Sequence, residues 1–313
     1  MPRLRMSSPG CASPARSSPA TIGGSSRRIS PRCPAARRWA SIGWATAPPT
    51  PVAELHGGQA MPLGSGFKLW VLGALAEQIA AGRHKWSDVV PLGTPSLPSG
   101  MLQNWPKGAP VTVQTLATLM ISISDNTATD TLIGLVGRDA IDAHARAGGL
   151  SVPVLTTREA FAIKAEAGLT AAWKAADPAR RTTLLRRNAA RFAAATLDVA
   201  AMTGSPVANG EVEWFASPQA VARQLDRLRR LPDPVVLQIL SVSAGAAPAV
   251  AVRFAYLGYK GGSEPGVIAL NYLARDRNGG WWVISTAWTR PDAAIDGAAF
   301  AALAGRALLL VQP

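Results

Sequence analysis

Hydrophobic positions recur at helical spacing along most of the chain and change to strict alternation near residue 250. The strongly apolar run "SGFKLWVLGALAEQIAAG" (65–82) ends at a glycine, which predicts a buried helix. Apolar residues three or four positions apart predict further helices over 112–124, 126–137, 168–203 and 217–231.

Alternating β-branched and aromatic residues predict three strands, over 249–260, 266–276 and 280–289. The last two are joined by "DRNGG", a typical hairpin turn. An Ala- and Leu-rich segment (296–311) predicts a closing helix. Helices followed by an antiparallel meander predict a layered α/β (α+β) fold, an antiparallel sheet flanked by helices with an all-helical subdomain.

The first 53 residues differ in composition from the rest of the chain. They are rich in Ser, Pro and Arg, and they hold eight arginines and no acidic residue, out of a net charge of +13. We predict a disordered basic tail over 1–53 and one domain over 54–313, with its helical part at about 65–235 and its sheet at about 249–311. Because most of the positive charge lies in the tail, nucleic-acid binding is not expected.

The sequence indicates neither a metal site nor a membrane-spanning segment. Cys11 and Cys33 both lie in the predicted tail, and the three histidines show no metal-ligand spacing, so neither a disulfide nor a metal site is predicted. No apolar run is long enough to span a membrane. The motif "SSRRIS" (25–30) resembles a twin-arginine export signal, but no apolar segment follows it.

Ser65 and Lys68 lie three residues apart at the start of the first predicted helix, so they share one face of it. A serine needs a neighbouring base to act as a nucleophile, and a buried lysine can provide one. S-x-x-K alone is a weak signal, because it arises by chance in a chain of this length.

Two further motifs follow in order. Ser124-Asp125-Asn126 lies at a junction between two predicted helices, and Lys260-Gly261-Gly262 lies at the predicted end of a strand. Alone, the first could be a helix cap or a turn, and the second a solvated strand end. Together, S-x-x-K, S-D-N and K-x-G are the signature of class A β-lactamases and penicillin-binding proteins.

From these motifs, residues 60–311 resemble the serine β-lactamase and penicillin-binding protein superfamily, and class A most closely. The resemblance implies a β-lactamase/transpeptidase-like fold, with Ser65 as the acylated nucleophile and Lys68 as its base. It implies that Ser124 relays a proton to the leaving nitrogen. It further implies that Asn126 binds the substrate amide and that Lys260 supplies positive charge.

The backbone N–H groups of Ser65 and Ser263 are placed to stabilise an oxyanion, and Gly261 and Gly262 let a substrate approach the strand. Gly261 replaces the hydroxyl residue usual in the family. The resemblance implies a small-molecule β-lactam or related acyl substrate, no cofactor, a monomer, and a periplasmic or extracellular location.

The family's E-x-x-L-N loop, which carries the deacylating glutamate, is missing from the sequence. Glu159 is the first candidate for this base, and Glu211 and Glu213 are others. The chain before Ser65 leaves little room for the family's first helix and two strands, and "RRWASIGWA" (37–45) accommodates one strand at most. Alternatives to a β-lactamase are an esterase or peptidase, a slowly deacylating penicillin-binding or sensor protein, and a truncated inactive relative.

Overall fold

A computed structural model describes residues 37–44 and 49–311 of the chain. The strands are Arg37–Trp44 (β1), Thr50–Leu55 (β2), Met61–Pro62 (β3), Val89–Pro91 (β4), Pro110–Thr112 (β5), Phe215–Ala216 (β6), Tyr256–Glu264 (β7), Val267–Arg275 (β8) and Trp281–Thr289 (β9). The helices are Lys68–Ala80 (α1), Val113–Ser122 (α2), Asn126–Val136 (α3), Arg138–Gly148 (α4), Thr157–Lys164 (α5), Ala167–Ala175 (α6), Pro178–Arg187 (α7), Ala189–Ala194 (α8), Val199–Gly204 (α9), Pro218–Arg229 (α10), Val235–Ser241 (α11), Pro248–Ala251 (α12) and Gly297–Leu310 (α13).

The main sheet is antiparallel and has the strand order β2-β1-β9-β8-β7. Strand β8 is buried on both faces because its side chains alternate between two cores. Ile268 and Leu270 pack in the core that contains Phe300 and Leu308 of α13, whereas Leu273 packs in the larger core beneath the helical part. This arrangement confirms the predicted antiparallel sheet flanked by helices.

Helix α1 is the centre of the helical part. From Lys68 to Ala76 its residues are all buried, and they pack against α3, α4 and α10. A 3₁₀ turn, Gly64–Phe67, precedes the helix and packs against β7 and β8. The nucleophile candidate therefore lies where the helical part meets the sheet.

Two sequence predictions differ from the structure in their boundaries. The predicted strand 249–260 begins with the short helix α12, because Pro248 favours the first position of a helix, and β7 starts at Tyr256. Lys260 therefore lies inside a strand rather than at its end. The predicted helix 168–203 is divided into α6, α7, α8 and α9, with Asp177 capping α7 and Pro178 at its first turn.

The predicted tail boundary at residue 53 falls inside the sheet. Strand β1 pairs with β9 from Arg37↔Thr289 to Trp44↔Trp282, and its other edge pairs with β2. The prediction of disorder is therefore wrong for these two strands, because β1 supplies hydrogen-bonding groups to an otherwise unpaired edge of β9. The rest of the predicted tail up to residue 48 lies outside the described residues.

Candidate active site

The 3₁₀ turn places Ser65 and Lys68 on one side of the chain, because residues three apart are aligned in a 3₁₀ helix. Gly64 has φ +49°, in the left-handed region that favours glycine. Phe67 stacks on Trp214 with ring centroids 4.1 Å apart, and the Leu63 N–H donates to the Trp214 carbonyl at 2.9 Å. The turn that carries Ser65 is thus held by the segment before β6.

Lys68 is completely buried, and polar atoms surround its amine. Nζ lies 2.7 Å from the Ser124 carbonyl oxygen, 2.7 Å from Asn126 Oδ1 and 3.1 Å from Ser124 Oγ. Burial, followed by the charge of Lys260, lowers the pKa of Lys68 well below its usual value. A neutral amine in this position has a lone pair with which it can accept a proton from a hydroxyl.

The S-D-N motif lies between α2 and α3, as the sequence predicts. Ser124 adopts φ 60°, a conformation unusual for a residue with a side chain. Asp125 caps α3 through the Ala128 N–H and also accepts the N–H groups of Met101 and Leu102 at 2.7 and 2.9 Å. The helix-cap interpretation of Asp125 is therefore confirmed, and the cap fixes the neighbouring loop as well.

Lys260 reaches Ser124 from the opposite side. Its Nζ lies 3.0 Å from Ser124 Oγ and 2.8 Å from the Gly261 carbonyl oxygen. Lys260 is 2% exposed, and burial lowers its pKa to about 7. Side chains from α1, the α2–α3 junction and β7 thus converge on one hydroxyl, which lies between two buried amines.

Strand β7 closely approaches the backbone of the 3₁₀ turn that carries Ser65. A Cβ added to Gly262 would lie 2.0 Å from the Leu63 carbonyl oxygen and 2.5 Å from Ser65 N. A Cβ on Gly64 would lie 3.0 Å from Ser263 N. Only glycines permit this approach, which places the backbone nitrogen of Ser65 beside Gly262 and that of Ser263 beside Gly64.

A cavity of about 50 Å³ opens beside Ser65, which is room for a few water molecules. Its charged lining groups, among the described residues, are Glu213 and Glu264. The other lining residues are Gly64, Ser65, Pro98, Ser99, Asn126, Thr157, Phe161, Trp214 and Ser263. Asn126 also donates from Nδ2 to the Leu97 carbonyl at 3.0 Å, and this hydrogen bond holds its side-chain amide at the cavity wall.

Glu159, the first candidate for a deacylating base, does not line this cavity. Its carboxylate accepts two hydrogen bonds from Arg138, at 2.6 and 2.8 Å, and one from the Thr156 N–H at 2.8 Å. Thr156 and Glu159 form a capping box at the start of α5. The sequence "TTRE" carries the T-x-x-E signal for this structural role. Glu211 pairs with Lys174 at 2.9 Å and is also absent from the lining.

Glu213, the remaining candidate, belongs to a buried group of charged side chains beside the turn. Its Oε2 accepts the Gly64 N–H at 2.8 Å, and Lys164 Nζ lies 3.5 Å from its Oε1. Lys164 also contacts both carboxylate oxygens of Glu264 at 2.5 and 2.6 Å. Sequence reasoning missed Lys164 and Glu264, because they are 100 residues apart and match no motif.

Metal ligation has no candidate in this arrangement. Among residues 37–44 and 49–311, no group of three or more His, Cys, Asp or Glu side chains is placed to hold a metal ion. In the same part of the chain, no helix has the length and apolarity needed to cross a bilayer.

Several solved structures share the fold. A β-lactamase from Sphaerobacter thermophilus is 19% identical with a TM-score of 0.57, and the match covers 88% of this chain and 90% of that one. PBP-A is 17% identical with a TM-score of 0.60, and the match covers 89% of this chain and 90% of that one. A variant of the class A β-lactamase of the last common ancestor of Gram-negative bacteria is 17% identical with a TM-score of 0.61, and the match covers 88% of this chain and 91% of that one.

These similarities establish a β-lactamase-type fold for the chain. No curated protein matches the sequence. The model of the "Beta-lactamase enzyme family" matches residues 48–230, which span the first two of the three motifs. The chain therefore belongs to the β-lactamase enzyme family.

Proposed function

We propose that this protein is a serine hydrolase that opens β-lactam rings through an acyl-enzyme on Ser65. The observation that carries the proposal is the Ser124 hydroxyl, held 3.1 Å from the amine of Lys68 and 3.0 Å from that of Lys260. Ser65 lies in the 3₁₀ turn, and Lys68, three residues later, begins α1. This arrangement supports Ser65 as the nucleophile, Lys68 as its base and Ser124 as the proton relay.

Acylation begins when Ser65 Oγ attacks the lactam carbonyl carbon and its proton passes to neutral Lys68. The carbonyl oxygen becomes an oxyanion, which the N–H groups of Ser65 and Ser263 stabilise. Ser124 then donates its proton to the lactam nitrogen as the C–N bond breaks, and Lys68 returns a proton to Ser124. The product is an ester of Ser65 that retains every atom of the β-lactam.

Substrate binding uses the groups around this centre. Asn126 offers its amide to the substrate's acyl side chain, and Lys260 attracts the substrate carboxylate. Gly261 provides no hydroxyl for that carboxylate, so Ser263, which is exposed, is the nearest replacement on β7. Gly262 keeps the strand close to Ser65.

A second candidate function is a penicillin-binding protein that releases its acyl group slowly. It is favoured because the two carboxylates that line the cavity, Glu213 and Glu264, are both already paired with Lys164 rather than free to activate a water molecule. With its pKa raised to about 8, Glu213 is mostly protonated at neutral pH and in that form cannot accept a proton from water. General-base assistance contributes roughly a hundred- to ten-thousand-fold in rate. One structural relative, a mutant of PBP-A, has been solved as an acyl-enzyme with penicillin G.

Intact-mass spectrometry after mixing with penicillin G tests both candidates. We expect wild-type protein to gain the full mass of penicillin G, and S65A to gain nothing. The control S122A, whose native hydroxyl donates to the Thr118 carbonyl at 2.7 Å, should label like wild type. An adduct that persists in S65A would contradict the assignment of the nucleophile.

The time course separates the two functions. An adduct that accumulates within seconds and decays over many minutes, with a burst of about one product per enzyme, indicates slow deacylation. Rapid consumption of penicillin with no detectable adduct indicates an efficient hydrolase. Hydrolysis of simple esters without any β-lactam reaction would point instead to an esterase.

A further inference from the structure

Lys164, Glu213 and Glu264 form a buried charged cluster, here called the Lys164 cluster, which the proposed reaction does not use. The side chains of these residues are 5%, 0% and 11% exposed. Lys164 ends α5, Glu213 precedes β6, and Glu264 ends β7. The cluster therefore connects three elements that meet beside the 3₁₀ turn that carries Ser65.

Two members of the cluster are each one residue removed from a proposed oxyanion donor. Glu213 accepts the N–H of Gly64, the residue before Ser65, and Glu264 is the residue after Ser263. Lys164 bridges the two carboxyl groups, so a displacement of either donor segment alters its contacts with the amine. The close approach of Gly64 and Ser263 leaves little slack between the segments.

We propose that the Lys164 cluster positions the backbone N–H groups of Ser65 and Ser263, and that Glu213 must carry a proton for efficient acylation. This inference rests on the proposed function, because it assigns a role in forming the acyl-enzyme. Glu213 is a positioning residue, since it acts through Gly64 and does not contact the reacting atoms.

The charge of Glu213 matters because of its position. Burial, followed by the charge of Glu264, raises the pKa of Glu213 to about 8. The charged groups that face it are Lys164 from α5 and Glu264 from β7. When protonated, Glu213 still accepts the Gly64 N–H through its carbonyl oxygen. When ionised, it places a second negative charge beside the turn where the oxyanion must form, and it therefore opposes acylation.

The decisive variant is E213Q, whose amide keeps the shape and hydrogen bonds of the protonated acid but cannot ionise. The ratio of the E213Q acylation rate to the wild-type acylation rate should be near one at pH 6.5 and about ten at pH 9. This is the change expected if ionisation of one group with a pKa of about 8 stops wild type from acylating. The ratio removes the contributions of Lys68 and Lys260, which both proteins share.

Two further variants separate positioning from stability. E213L removes the acceptor of the Gly64 N–H and should acylate about tenfold or more slowly than E213Q at every pH, because neither variant can ionise at this position. The matched control is E159Q. Glu159 lies on α5, like Lys164, and its carboxylate forms an ion pair with Arg138, but it does not line the cavity. E159Q should follow the wild-type pH profile even where its melting temperature falls. If E213L does not fold, E213Q decides alone.

A second readout does not depend on activity. In the full chain, the backbone amide proton of Gly64 should shift with pH around a midpoint near 8, in wild type and E159Q but not in E213Q. A flat ratio of E213Q to wild-type acylation rates overturns the requirement for a proton on Glu213, and equal acylation by E213L and E213Q overturns its positioning role. If wild type forms no adduct on Ser65 at any pH, the proposed function fails. The Gly64 titration then decides the inference alone: a shift near pH 8 supports coupling of the cluster to the turn, and its absence overturns it.

Discussion

Lys260 shows how burial alone can give a single residue a pH-dependent function. The amine is 2% exposed, and its pKa of about 7 lies far below the usual value for lysine because burial disfavours the charged form. Its proposed role, attraction of a substrate carboxylate, requires the protonated form. Attraction of the carboxylate by Lys260 is therefore present below pH 7 and is lost as the pH rises through 7.

The first residue-scale prediction concerns this loss. For wild type, kcat/KM for acylation by penicillin G should fall as the pH rises above about 7, because kcat/KM reports the pKa values of free enzyme. K260R keeps its charge at all these pH values. In K260R the fall should move upward by about a unit, to the limit that Glu213 sets, whatever the absolute rate.

Stopped-flow acylation measured from pH 5.5 to 9.5 provides the comparison. The control is K107R, because Lys107 is an exposed lysine in the loop before β5. An unchanged profile in K260R would show that the charge of Lys260 does not limit acylation.

At the scale of elements, the contact between the 3₁₀ turn and β7 determines the site. The turn contributes Ser65, the strand contributes Lys260 and Ser263, and Gly262 is the point where their backbones approach most closely. Asn271 on β8 supports the strand from behind, since its Nδ2 donates to the Lys260 carbonyl at 3.0 Å. Its Oδ1 accepts from the Ser285 hydroxyl at 2.8 Å. Strand β7 is therefore held on one side by the 3₁₀ turn and on the other by Asn271 of β8.

The element-scale prediction is that G262A separates the turn from the strand. The new Cβ would meet backbone atoms at 2.0 and 2.5 Å, which no side-chain rotation relieves. We expect destabilisation of about 1–3 kcal/mol. Displacement of Ser65 N should also slow acylation by about a hundredfold. Thermal unfolding and stopped-flow acylation measure the two effects.

Gly134 provides the matched control, because it lies within α3 and a Cβ there meets open space. G134A should acylate like wild type and gain about 0.5–1 kcal/mol from its better helix propensity. Acylation by G262A within threefold of wild type would show that the close approach is not required.

For the whole molecule, the main sheet joins parts of the chain that are distant in sequence. Strand β1 is an inner strand, paired with β9 on one side and with β2 on the other, although about 240 residues separate it from β9. Because β9 is bounded by β8 on its far side, the loss of β1 would expose one edge of the strand pair that supports β7. We therefore expect the stability of the site to depend on β1, which precedes Ser65 in the chain.

The prediction at this scale uses proline as a strand breaker. S41P places a residue without an N–H in β1, where position 41 pairs with both Glu54 and Ser285. Its melting temperature should fall by on the order of 5 °C or more. The control is V52P, at the edge-strand bulge where the register shifts between Ile42 and Gly43. Equal melting temperatures for S41P and wild type would show that β1 does not stabilise the sheet.

The sequence alone identified the three motifs, the helices that carry two of them and the antiparallel meander that carries the third. These features are local: apolar periodicity, caps and turn residues act over a few positions, so they can be recognised without the fold. The order of Ser65, Ser124 and Lys260 in the chain added the family resemblance, and the family match and the shared fold confirm it.

Only the tertiary structure decided which carboxylates lie beside Ser65. Glu159 and Glu213 are both plausible bases in the sequence, but helix α5 engages Glu159 in a cap and in an ion pair with Arg138, whereas the chain before β6 brings Glu213 to Gly64. The Lys164 cluster and the pairing of β1 with β9 likewise join residues far apart in the chain. Such contacts depend on burial and on the packing of whole elements, and no short-range pattern encodes them.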